Sequence, residues 1–580
     1  MLTFITMPWI KCAARPGPWA EERTMCGILA VFGDVDDIVA LRAVRAADRL
    51  AHRGPDGRGV HVQTGVGVLC HRRLAIMDPA AGQQPIASRA ASPREPGGAS
   101  AVVVHNGEVY NFRELQQELA PRGHSFHTGS DSEVLAHLYE DEGDAFVPRL
   151  DGIFAFAAIR SDERGDDWMV ARDPIGIKPL YYGRDAAGNL WFASELKALS
   201  DHCVWFKTFP PGHLYTRHGG LRRYYEPGWL QGARPGHADA SDLRERLAAA
   251  VDKRLMSDVP LGVLLSGGLD SSLIAGLTTR LLRARDPAAE VQSFAIGIGP
   301  DAPDLRAARE VAAHLGTRHH EVCFSLEDGI AALDDIIRHV ESYDIPTIRA
   351  SIPMYFLSRY IRDQGVKVVL SGEGSDEIFG GYLYFYHAED PQAFHRETVE
   401  RVANLHLSDV LRADKSTMAH GVEARVPFLD LAFLELAMNI APELKQPRAG
   451  DPGREARMEK WLLRAAFADP SDPLIPPSVL WRQKEQFSDG VGYRWVDGLR
   501  AHAAAQVSHR ELAEAADRFP HAPPTTKEAY LYRSRFEALF PGEHAARCVA
   551  RWVPRWQDSG DSSGRANPFH AEHAARRTTA

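Results

Sequence analysis

The sequence has few cysteines, no long hydrophobic run and no excess of positive charge. Its 580 residues include six cysteines, at positions 12, 26, 70, 203, 323 and 548, without any Cys-x-x-Cys spacing. This pattern excludes a zinc knuckle and a dense disulfide framework, and it indicates a reducing compartment. No segment approaches the roughly 18 apolar residues of a membrane helix, and the N-terminus lacks the basic-then-apolar order of a secretory signal. The formal net charge of −10 provides no general basic surface. We therefore expect a cytoplasmic protein that binds neither membranes nor nucleic acid.

Two different hydrophobic patterns divide the chain. From 26 to 226, short alternating segments rich in aromatic residues predict antiparallel sheet, interrupted by helices near 36–51 and 112–120. From 241 to 545, apolar strands such as LGVLLSG and VKVVLSG alternate with helical segments, which predicts a parallel sheet covered by helices. The remaining segments are predicted to be an appended extension at 1–24, a Pro/Gly-rich linker at 227–240 and a polar, disordered tail at 556–580.

The strongest local motif is LLSGGLDSS, residues 264–272, in which an apolar strand leads through glycines into a helix. The glycines let backbone N–H groups approach an anion, and the helix N-terminus adds partial positive charge. Asp270 stands where a lysine would otherwise neutralise phosphate, so a divalent cation between them is expected. The loop therefore predicts a pyrophosphate site that includes Ser266, Gly267, Gly268, Asp270, Ser271 and Ser272.

A second loop, SGEGSDE at 371–377, also follows an apolar strand. Ser371 and Gly372 allow close approach of the backbone, while Glu373, Asp376 and Glu377 crowd three carboxylates together. Such crowding is unfavourable unless a cation or a proton relieves it. Metal binding, general-base catalysis and amine binding all fit this loop. Both loops are expected at the carboxyl ends of parallel strands, where such sheets bind ligands.

Cys26, in TMCGILAVFG, is a candidate nucleophile. A cysteine at a chain terminus has its own base, because an α-amino group of pKa about 7.7–8.0 can take the thiol proton. Three other stretches suggest a cradle for an amino acid. Asn106 and Gly107 suit an oxyanion hole, Arg73 suits an α-carboxylate, and Asp131 suits an α-ammonium. In HRGPDG, residues 52–57, we expect Arg53 to pair with Asp56.

Together these motifs resemble the glutamine-hydrolysing asparagine synthetases, most closely the bacterial B type. The resemblance covers about 25–545 and includes MCGI, HRGPD, HRRLAI, NGEVYN, RDPIGIKPLYY, VPLGVLLSGGLDSS, TIRASIPMY, SGEGSDEIFGGY, GVEARVPFLD and WRQKEQFSDGVGY. It implies an α+β glutaminase domain of the N-terminal-nucleophile fold, with antiparallel sheets between helices, and an α/β ATP pyrophosphatase domain. The implied enzyme is an asparagine synthase, a ligase that uses L-glutamine as amide donor.

The resemblance also implies roles for individual residues. Cys26 would form a thioester with glutamine and release ammonia. ATP and L-aspartate would give β-aspartyl-AMP, with Mg²⁺ held by Asp270 and Asp376, and Glu373 would deprotonate the attacking ammonia. Glutamine binding is implied for Arg73, Leu74, Ala75, Ile76, Met77, Asn106, Gly107, Glu108 and Asp131. Nucleotide binding is implied for the 264–272 loop with Ile296, Ser371 and Gly372, and aspartate or phosphate contacts for Thr347, Arg349, Asp376, Arg412 and Lys484. An ammonia tunnel between the domains and a homodimer are implied as well.

One feature departs from the family, in which the nucleophilic cysteine is the first residue. Here 25 residues precede Cys26. Met25 is then the true start, or the extension is a propeptide that is cleaved, or it stays and leaves a synthetase that depends on free ammonia.

Two alternative functions fit the sequence less well than the one that the resemblance implies. A related ligase, such as a β-lactam synthetase-like cyclase, should lack the cysteine or the RQKEQFSDG stretch, and both are present. A catalytically silent sensor of ammonia or nucleotide should have lost Cys26, Asp270 or Glu373, and it has lost none of them.

Overall fold

The computed structural model describes residues 26–88, 100–163, 165–231, 240–449, 456–492 and 494–556. The expected extension at 1–24, most of the expected linker and the tail beyond 556 lie outside these residues. Within the described part of the chain, every helix is too short or too polar to cross a bilayer.

The N-terminal part forms two six-stranded sheets in which all strand pairings are antiparallel, as the alternating pattern predicts. Its elements are β1 (Gly27–Phe32), α1 (Asp37–Asp48), β2 (Gly57–Gln63), β3 (Gly67–Arg73), β4 (Ile86–Ala87), β5 (Ser100–Val109), α2 (Phe112–Leu119), α3 (Glu133–Glu142), β6 (Gly152–Asp162), β7 (Gly165–Arg172), β8 (Tyr181–Arg184), β9 (Leu190–Ala193), β10 (Trp205–Thr208), β11 (His213–Thr216) and β12 (Gly220–Arg223). The strand orders are β10-β8-β9-β1-β3-β2 and β12-β11-β7-β6-β5-β4.

The two sheets pack face to face, and helices cover their outer faces. On β6, Ala155 and Ala157 join the core between the sheets, whereas Phe154 and Phe156 pack with residues of α2 and α3. Successive side chains of a strand point to opposite faces, so both faces of β6 are apolar because both are covered. The expected layers of antiparallel sheet between helices are therefore present.

The C-terminal part is built on a five-stranded parallel sheet of order β15-β14-β13-β16-β17. Its elements are α4 (Ala240–Lys253), β13 (Leu261–Leu264), α5 (Leu269–Arg285), β14 (Gln292–Gly297), α6 (Pro303–Leu315), β15 (Arg318–Cys323), α7 (Leu326–Ala331), α8 (Leu333–Val340), α9 (Ile345–Asp363), β16 (Val368–Leu370), α10 (Ser375–Phe379), α11 (Pro391–Asn404), α12 (Asp409–Met418), β17 (Glu423–Arg425), α13 (Leu431–Met438), α14 (Pro442–Lys445), α15 (Trp461–Ala466), α16 (Pro477–Leu480), α17 (Phe487–Gly490), α18 (Arg494–Gln506), α19 (His509–Ala513), α20 (Ala515–Arg518), α21 (Lys527–Leu539) and α22 (Glu543–Arg547).

The strand order reverses beside β13, and this reversal determines where the loops that follow β13 and β16 meet. The strand β13 pairs with β14 on one side and with β16 on the other. The loops that follow β13 and β16 therefore leave the same end of neighbouring strands. A crevice at such a point is the usual ligand site of an open parallel sheet.

Buried ion pairs connect the two parts of the molecule. Arg53, which is fully buried, donates to Glu195 (2.8 Å) in the N-terminal part and to Asp414 (2.9 Å) on α12. The expected pairing of Arg53 with Asp56 is therefore wrong. Asp56 instead accepts a hydrogen bond from Lys367 (2.7 Å), which also belongs to the C-terminal part.

A second group of buried charges lies at β17. The ammonium of Lys178 lies 2.8 Å from Glu423, and the guanidinium of Arg425 lies 2.8 Å from Glu423 and 2.9 Å from Glu108. All four side chains are at most 4% exposed. Buried charges are tolerated only when they are paired, so these contacts constrain how β17 meets the N-terminal sheets.

Replacing Arg425 tests this constraint. Arg425→Met leaves the Glu108 carboxylate buried without its cation, and removing one partner of a buried pair typically costs about 3–5 kcal/mol. We expect a clearly lower Tm in scanning calorimetry. The control is Arg547→Met, which breaks the exposed pair with Glu543 and should change Tm little. Equal shifts for the two variants would contradict the structural importance of the buried group.

Candidate functional site

The candidate nucleophile Cys26 lies directly before β1, at the start of a buried strand. Its Sγ accepts a hydrogen bond from the Leu74 N–H (3.3 Å) and lies 3.5 Å from the Leu74 carbonyl oxygen. The Nε of Arg53 donates to the Cys26 carbonyl (3.0 Å). Burial raises the pKa of the Cys26 thiol to about 12, against the lowering effect of the Leu74 backbone. A base close to the sulfur is therefore needed before this thiol can act as a nucleophile.

The expected oxyanion groups lie on β5. The Asn106 side chain is completely buried, and neither its Oδ1 nor its Nδ2 has a hydrogen-bond partner in the described part of the chain. A buried amide left in this state typically costs about 1–3 kcal/mol per group. Gly107 has φ +143, and a Cβ there would lie 1.9 Å from the Ile153 carbonyl oxygen. Only glycine fits, because the backbone of β6 occupies the space that a Cβ would need.

Arg73 ends β3 and organises the turn that follows it. Its guanidinium donates to the carbonyl oxygens of Met77 (3.3 Å), Asp78 (2.6 Å) and Pro79 (3.1 Å). Leu74, Ala75, Ile76 and Met77 are all buried in this turn. Of this turn, Leu74 contacts the Cys26 sulfur through its backbone N–H and carbonyl groups.

The two acidic residues expected at this site have different partners. Asp131 accepts a hydrogen bond from the Val109 N–H (2.7 Å), and burial raises the pKa of its carboxyl to about 7. Glu108 is paired with Arg425 of the C-terminal part (2.9 Å). Sequence reasoning missed Arg425, although it lies within the quoted GVEARVPFLD stretch. Glu108 therefore belongs both to the first site and to the boundary between the two parts.

A second candidate site is a cavity of about 180 Å³ in the C-terminal part. It opens where the loops after β13 and β16 meet. Most of the residues that the sequence assigned to nucleotide, aspartate or phosphate line it: Leu264, Leu265, Ser266, Gly268, Asp270, Ser271, Ile296, Thr347, Ser371, Gly372, Glu373, Asp376, Arg412 and Lys484.

The second loop contacts the first through Gly372. A Cβ on Gly372 would lie 2.7 Å from the Ser271 nitrogen, so the second loop packs directly against the first turn of α5. Gly267 has φ +71 and lies against the backbone of Ala308, which again admits only glycine. Ser266 and Ser271 join their hydroxyls at 3.0 Å inside the turn. The glycines therefore bring the backbone amides of α5 to the cavity wall.

Three of the expected synthetase residues are not among those that line the cavity. Gly267 packs against Ala307 and Ala308 of α6, and the Ser272 hydroxyl is buried. Arg349 forms a buried double hydrogen bond with Glu528, at 2.8 and 2.6 Å. The structure therefore gives no support to Arg349 as a direct substrate contact. The sequence did not reveal Glu528, which lies 179 residues away.

Lys460 is a cavity residue that sequence reasoning missed. Its ammonium lies 2.5 Å from Asp270 and 2.6 Å from Asp376, while Lys484 lies 2.6 Å from the other oxygen of Asp376. Burial opposes ionisation of Asp376, but the two ammonium groups outweigh it and lower the pKa of Asp376 to about 2. The Asp376 carboxylate is thus charged, and a lysine ammonium lies against each of the two carboxylates. No motif identifies Lys460, because in the sequence it is a single lysine within a helical region.

Glu373 is paired with Arg412 in the wall of the cavity. The Nη2 of Arg412 lies 3.0 Å from each Glu373 carboxylate oxygen. Burial raises the pKa of Glu373, and the Arg412 charge opposes this rise. A buried carboxylate held close to one cation combines a perturbed pKa with a fixed position, as a candidate general base requires.

Trp552 closes one side of the same cavity from the far end of the chain. Its N–H backbone group donates to Asp344 (2.8 Å), and its ring makes an edge contact with Tyr382 (5.3 Å). The Arg401 guanidinium lies 4.5 Å from the ring centroid. Three independent contacts therefore hold the indole against the cavity, although no motif in the sequence predicts a role for this segment.

A thiol site with an amide cradle and a nucleotide-type cavity in one chain define a two-site amidotransferase. The model of the glutamine amidotransferase domain matches residues 25–216, and that of asparagine synthase matches 242–393 and 388–559. The chain is 49% identical to an asparagine synthetase [glutamine-hydrolyzing] of Brassica oleracea, over 93% of each chain. It is 50% identical to asparagine synthetase 3 of Arabidopsis thaliana, over 93% of this chain and 94% of the relative. A probable asparagine synthetase of Dictyostelium discoideum is 49% identical, over 94% and 99%. The chain belongs to the glutamine-hydrolysing asparagine synthetases.

Replacing Trp552 tests whether the C-terminal segment completes the second site. Trp552→Ala removes the cavity wall and the contact that holds Tyr382. Misplacement of about 1 Å can reduce turnover up to about 100-fold, so we expect asparagine formation from ammonium to fall about 10- to 100-fold. Hydrolysis of glutamine should be unchanged.

The matched control is Trp556→Ala. Trp556 packs on Tyr384 and Phe385 in the same segment but does not line the cavity. It should retain most of the ammonium-dependent activity. Equal losses in both variants would mean that the segment only stabilises the fold.

Proposed function

We propose that the protein makes L-asparagine from L-aspartate, ATP and L-glutamine, with release of AMP, pyrophosphate and L-glutamate. The observation that carries this proposal is the unsatisfied, buried amide of Asn106 beside Gly107. Both residues lie on the same strand as Glu108, which acts electrostatically on the Cys26 thiol. A synthetase fed only by free ammonium has no use for such a group. The identity with the family supports the same reaction, and the resemblance supports a cytoplasmic homodimer.

At the first site, the substrate is an amino acid held at both ends. Arg73 lies at the turn where an α-carboxylate is expected, and Asp131 offers a carboxylate for the α-ammonium. The thiolate of Cys26 attacks the side-chain amide carbon, and the oxyanion is stabilised by Asn106 and the Gly107 N–H. Collapse of the intermediate expels ammonia and leaves a thioester, which water hydrolyses to glutamate.

The base for this step is the α-amino group of Cys26 when that residue begins the chain. Its ordinary pKa of about 7.7–8.0 lies far below that of the buried thiol, so local solvation and geometry must favour the transfer. The Arg53 hydrogen bond to the Cys26 carbonyl fixes the residue while its amine remains available. An N-terminal extension would remove this amine, and the protein would then depend on ammonium.

At the second site, the aspartate β-carboxylate attacks the α-phosphorus of ATP and pyrophosphate leaves. Ammonia then attacks the acyl carbon, Glu373 takes the proton, and AMP leaves. The serine-glycine loop offers backbone donors to pyrophosphate, and Arg412, Lys484 and Thr347 line the space for aspartate and phosphate. Closure of the cavity by Trp552 protects the water-sensitive acyl-adenylate.

The acidic pair at this cavity fits a magnesium ion. The Oδ1 atom of Asp270 is buried without a hydrogen-bond partner among the described residues, and Asp376 lies across Lys460 from it. Carboxylates together with nucleotide phosphates are the ligands that Mg²⁺ prefers. We propose that Asp270 and Asp376 hold Mg²⁺, which would neutralise charge on the leaving pyrophosphate.

Two variants separate the reactions. Cys26→Ala should abolish asparagine formation from glutamine and leave formation from ammonium intact. Glu373→Gln should impair asparagine formation from either donor, because the general base contributes roughly 100-fold or more, yet it should still hydrolyse glutamine. N-terminal sequencing of the protein purified from its native host should give a sequence that begins at Cys26. Glutamine-dependent synthesis by Cys26→Ala would refute the assignment of the nucleophile.

The pH dependence of glutamine use tests the role of Asp131. Below pH 7 its raised pKa leaves the carboxyl neutral, so it no longer attracts an α-ammonium. We expect kcat/KM for glutamine hydrolysis to fall about tenfold per pH unit below pH 7. Asp131→Asn should lower kcat/KM at pH 8 and flatten this acidic limb. Asp144→Asn, at a half-buried carboxylate that is paired with Arg222 (2.6 Å), should keep the wild-type profile. An unchanged limb in Asp131→Asn would exclude Asp131 as its origin.

A further inference from the structure

A mixed group of histidines and carboxylates lies at α3, and none of its members is assigned to either site. His124 follows α2, whereas His137 and Glu140 lie three residues apart on α3. One nitrogen or oxygen atom of each residue lies within 4.8 Å of the corresponding atoms of the other two. His137 is 1% exposed. The spacing on α3 places His137 and Glu140 on one face of the helix.

The rings of His124 and His137 are perpendicular to each other. Their Nδ1 atoms face each other at 3.0 Å. Each Nε2 atom faces a carboxylate: that of His137 lies 3.7 Å from Glu133, and that of His124 lies 4.0 Å from Asp141. At these distances the carboxylates favour positive charge on the imidazoles without forming hydrogen bonds, and the Nε2 of His137 has no hydrogen-bond partner in the described part of the chain.

At 3.0 Å the two Nδ1 atoms can share a hydrogen that either ring carries there, or they can both bind a cation when the hydrogens are on the Nε2 atoms. Two nitrogens bound to one tetrahedral zinc at about 2.0–2.1 Å are about 3.3 Å apart, so the observed separation needs only a small adjustment. The carboxylates beside Nε2 match the outer partners that orient metal-bound histidines.

We propose that His124, His137 and Glu140 form a site for a zinc-like divalent transition metal. Two imidazoles and one carboxylate suit Zn²⁺ or Co²⁺, with water as a fourth ligand. The metal would join the segment after α2 to α3, the helix that follows Asp131. It is independent of the magnesium pair at Asp270 and Asp376, and of the proposed reaction.

Metal titration of the full-length, chelator-treated protein tests this site. Zn²⁺ binding is measured by calorimetry with excess Mg²⁺ present, and Co²⁺ binding by visible absorption. We expect one tight site with a nitrogen- and oxygen-ligand spectrum. His124→Gln and Glu140→Gln alter the less buried ligands, and each should weaken Zn²⁺ binding at least about 10- to 100-fold. Circular dichroism shows whether each variant keeps its fold.

The control variant is His319→Gln, because His319 is also a largely buried histidine beside a carboxylate (3.6 Å from Glu321). It should bind Zn²⁺ as the wild type does. Anomalous diffraction from a Zn²⁺-soaked crystal should place the metal between His124 and His137. Absence of tight binding would show that a shared proton joins the imidazoles and would overturn the proposal. A sulfur-ligand Co²⁺ spectrum, or equal affinity in all variants, would overturn it as well.

Discussion

The pairing of buried charges determines how the two halves of this protein meet. Arg53 reaches Asp414, Lys178 reaches Glu423, and Arg425 spans from β17 to the N-terminal sheets. A hydrophobic boundary tolerates small shifts, because apolar contacts are not directional. A buried ion does not, because a shift that separates it from its partner leaves a charge without solvent or counter-ion. The two halves therefore have one favoured arrangement, and the positions of both sites follow from it.

Helix α12 connects these constraints to the chemistry at both sites. On one turn Asp414 binds Arg53, whose Nε holds the Cys26 carbonyl; half a turn earlier, Arg412 binds Glu373. The candidate nucleophile and the candidate base are thus linked through one ten-residue helix. Because ion pairs hold α12 at both sites, the position of this one helix affects the geometry of both. Transmission of a signal between the two sites would require a second arrangement of the helix. A single arrangement instead holds the two sites in one relative geometry.

The sequence predicted those features that depend on neighbouring residues. The glycine turns, the strand-to-helix loops and the turn after β3 each depend on a short stretch, so their residue types reveal their conformation. Partners distant in sequence could not be found in this way. Lys460 lies 190 residues from Asp270, and Trp552 lies 208 residues from Asp344. Any of the many lysines satisfies the same charge requirement, and only the packing of α15 selects one. The wrong pairing of Arg53 has the same origin, since the nearest carboxylate in sequence was taken for the nearest in space.

Lys460 shows what the second site does to keep its charges balanced. It adopts a left-handed backbone conformation with φ 58, which costs a non-glycine residue roughly 1–2 kcal/mol. A Cβ on Gly381 would lie 2.1 Å from the Lys460 Cε and 2.0 Å from the Asp376 Oδ1, so Gly381 leaves the space that this lysine needs. The fold thus accepts a strained backbone and a bare glycine to place one ammonium between two carboxylates. Without it, Asp270 and Asp376 would repel each other inside the cavity. The acidic groups of the cavity are therefore held in place and paired with lysines by the protein itself.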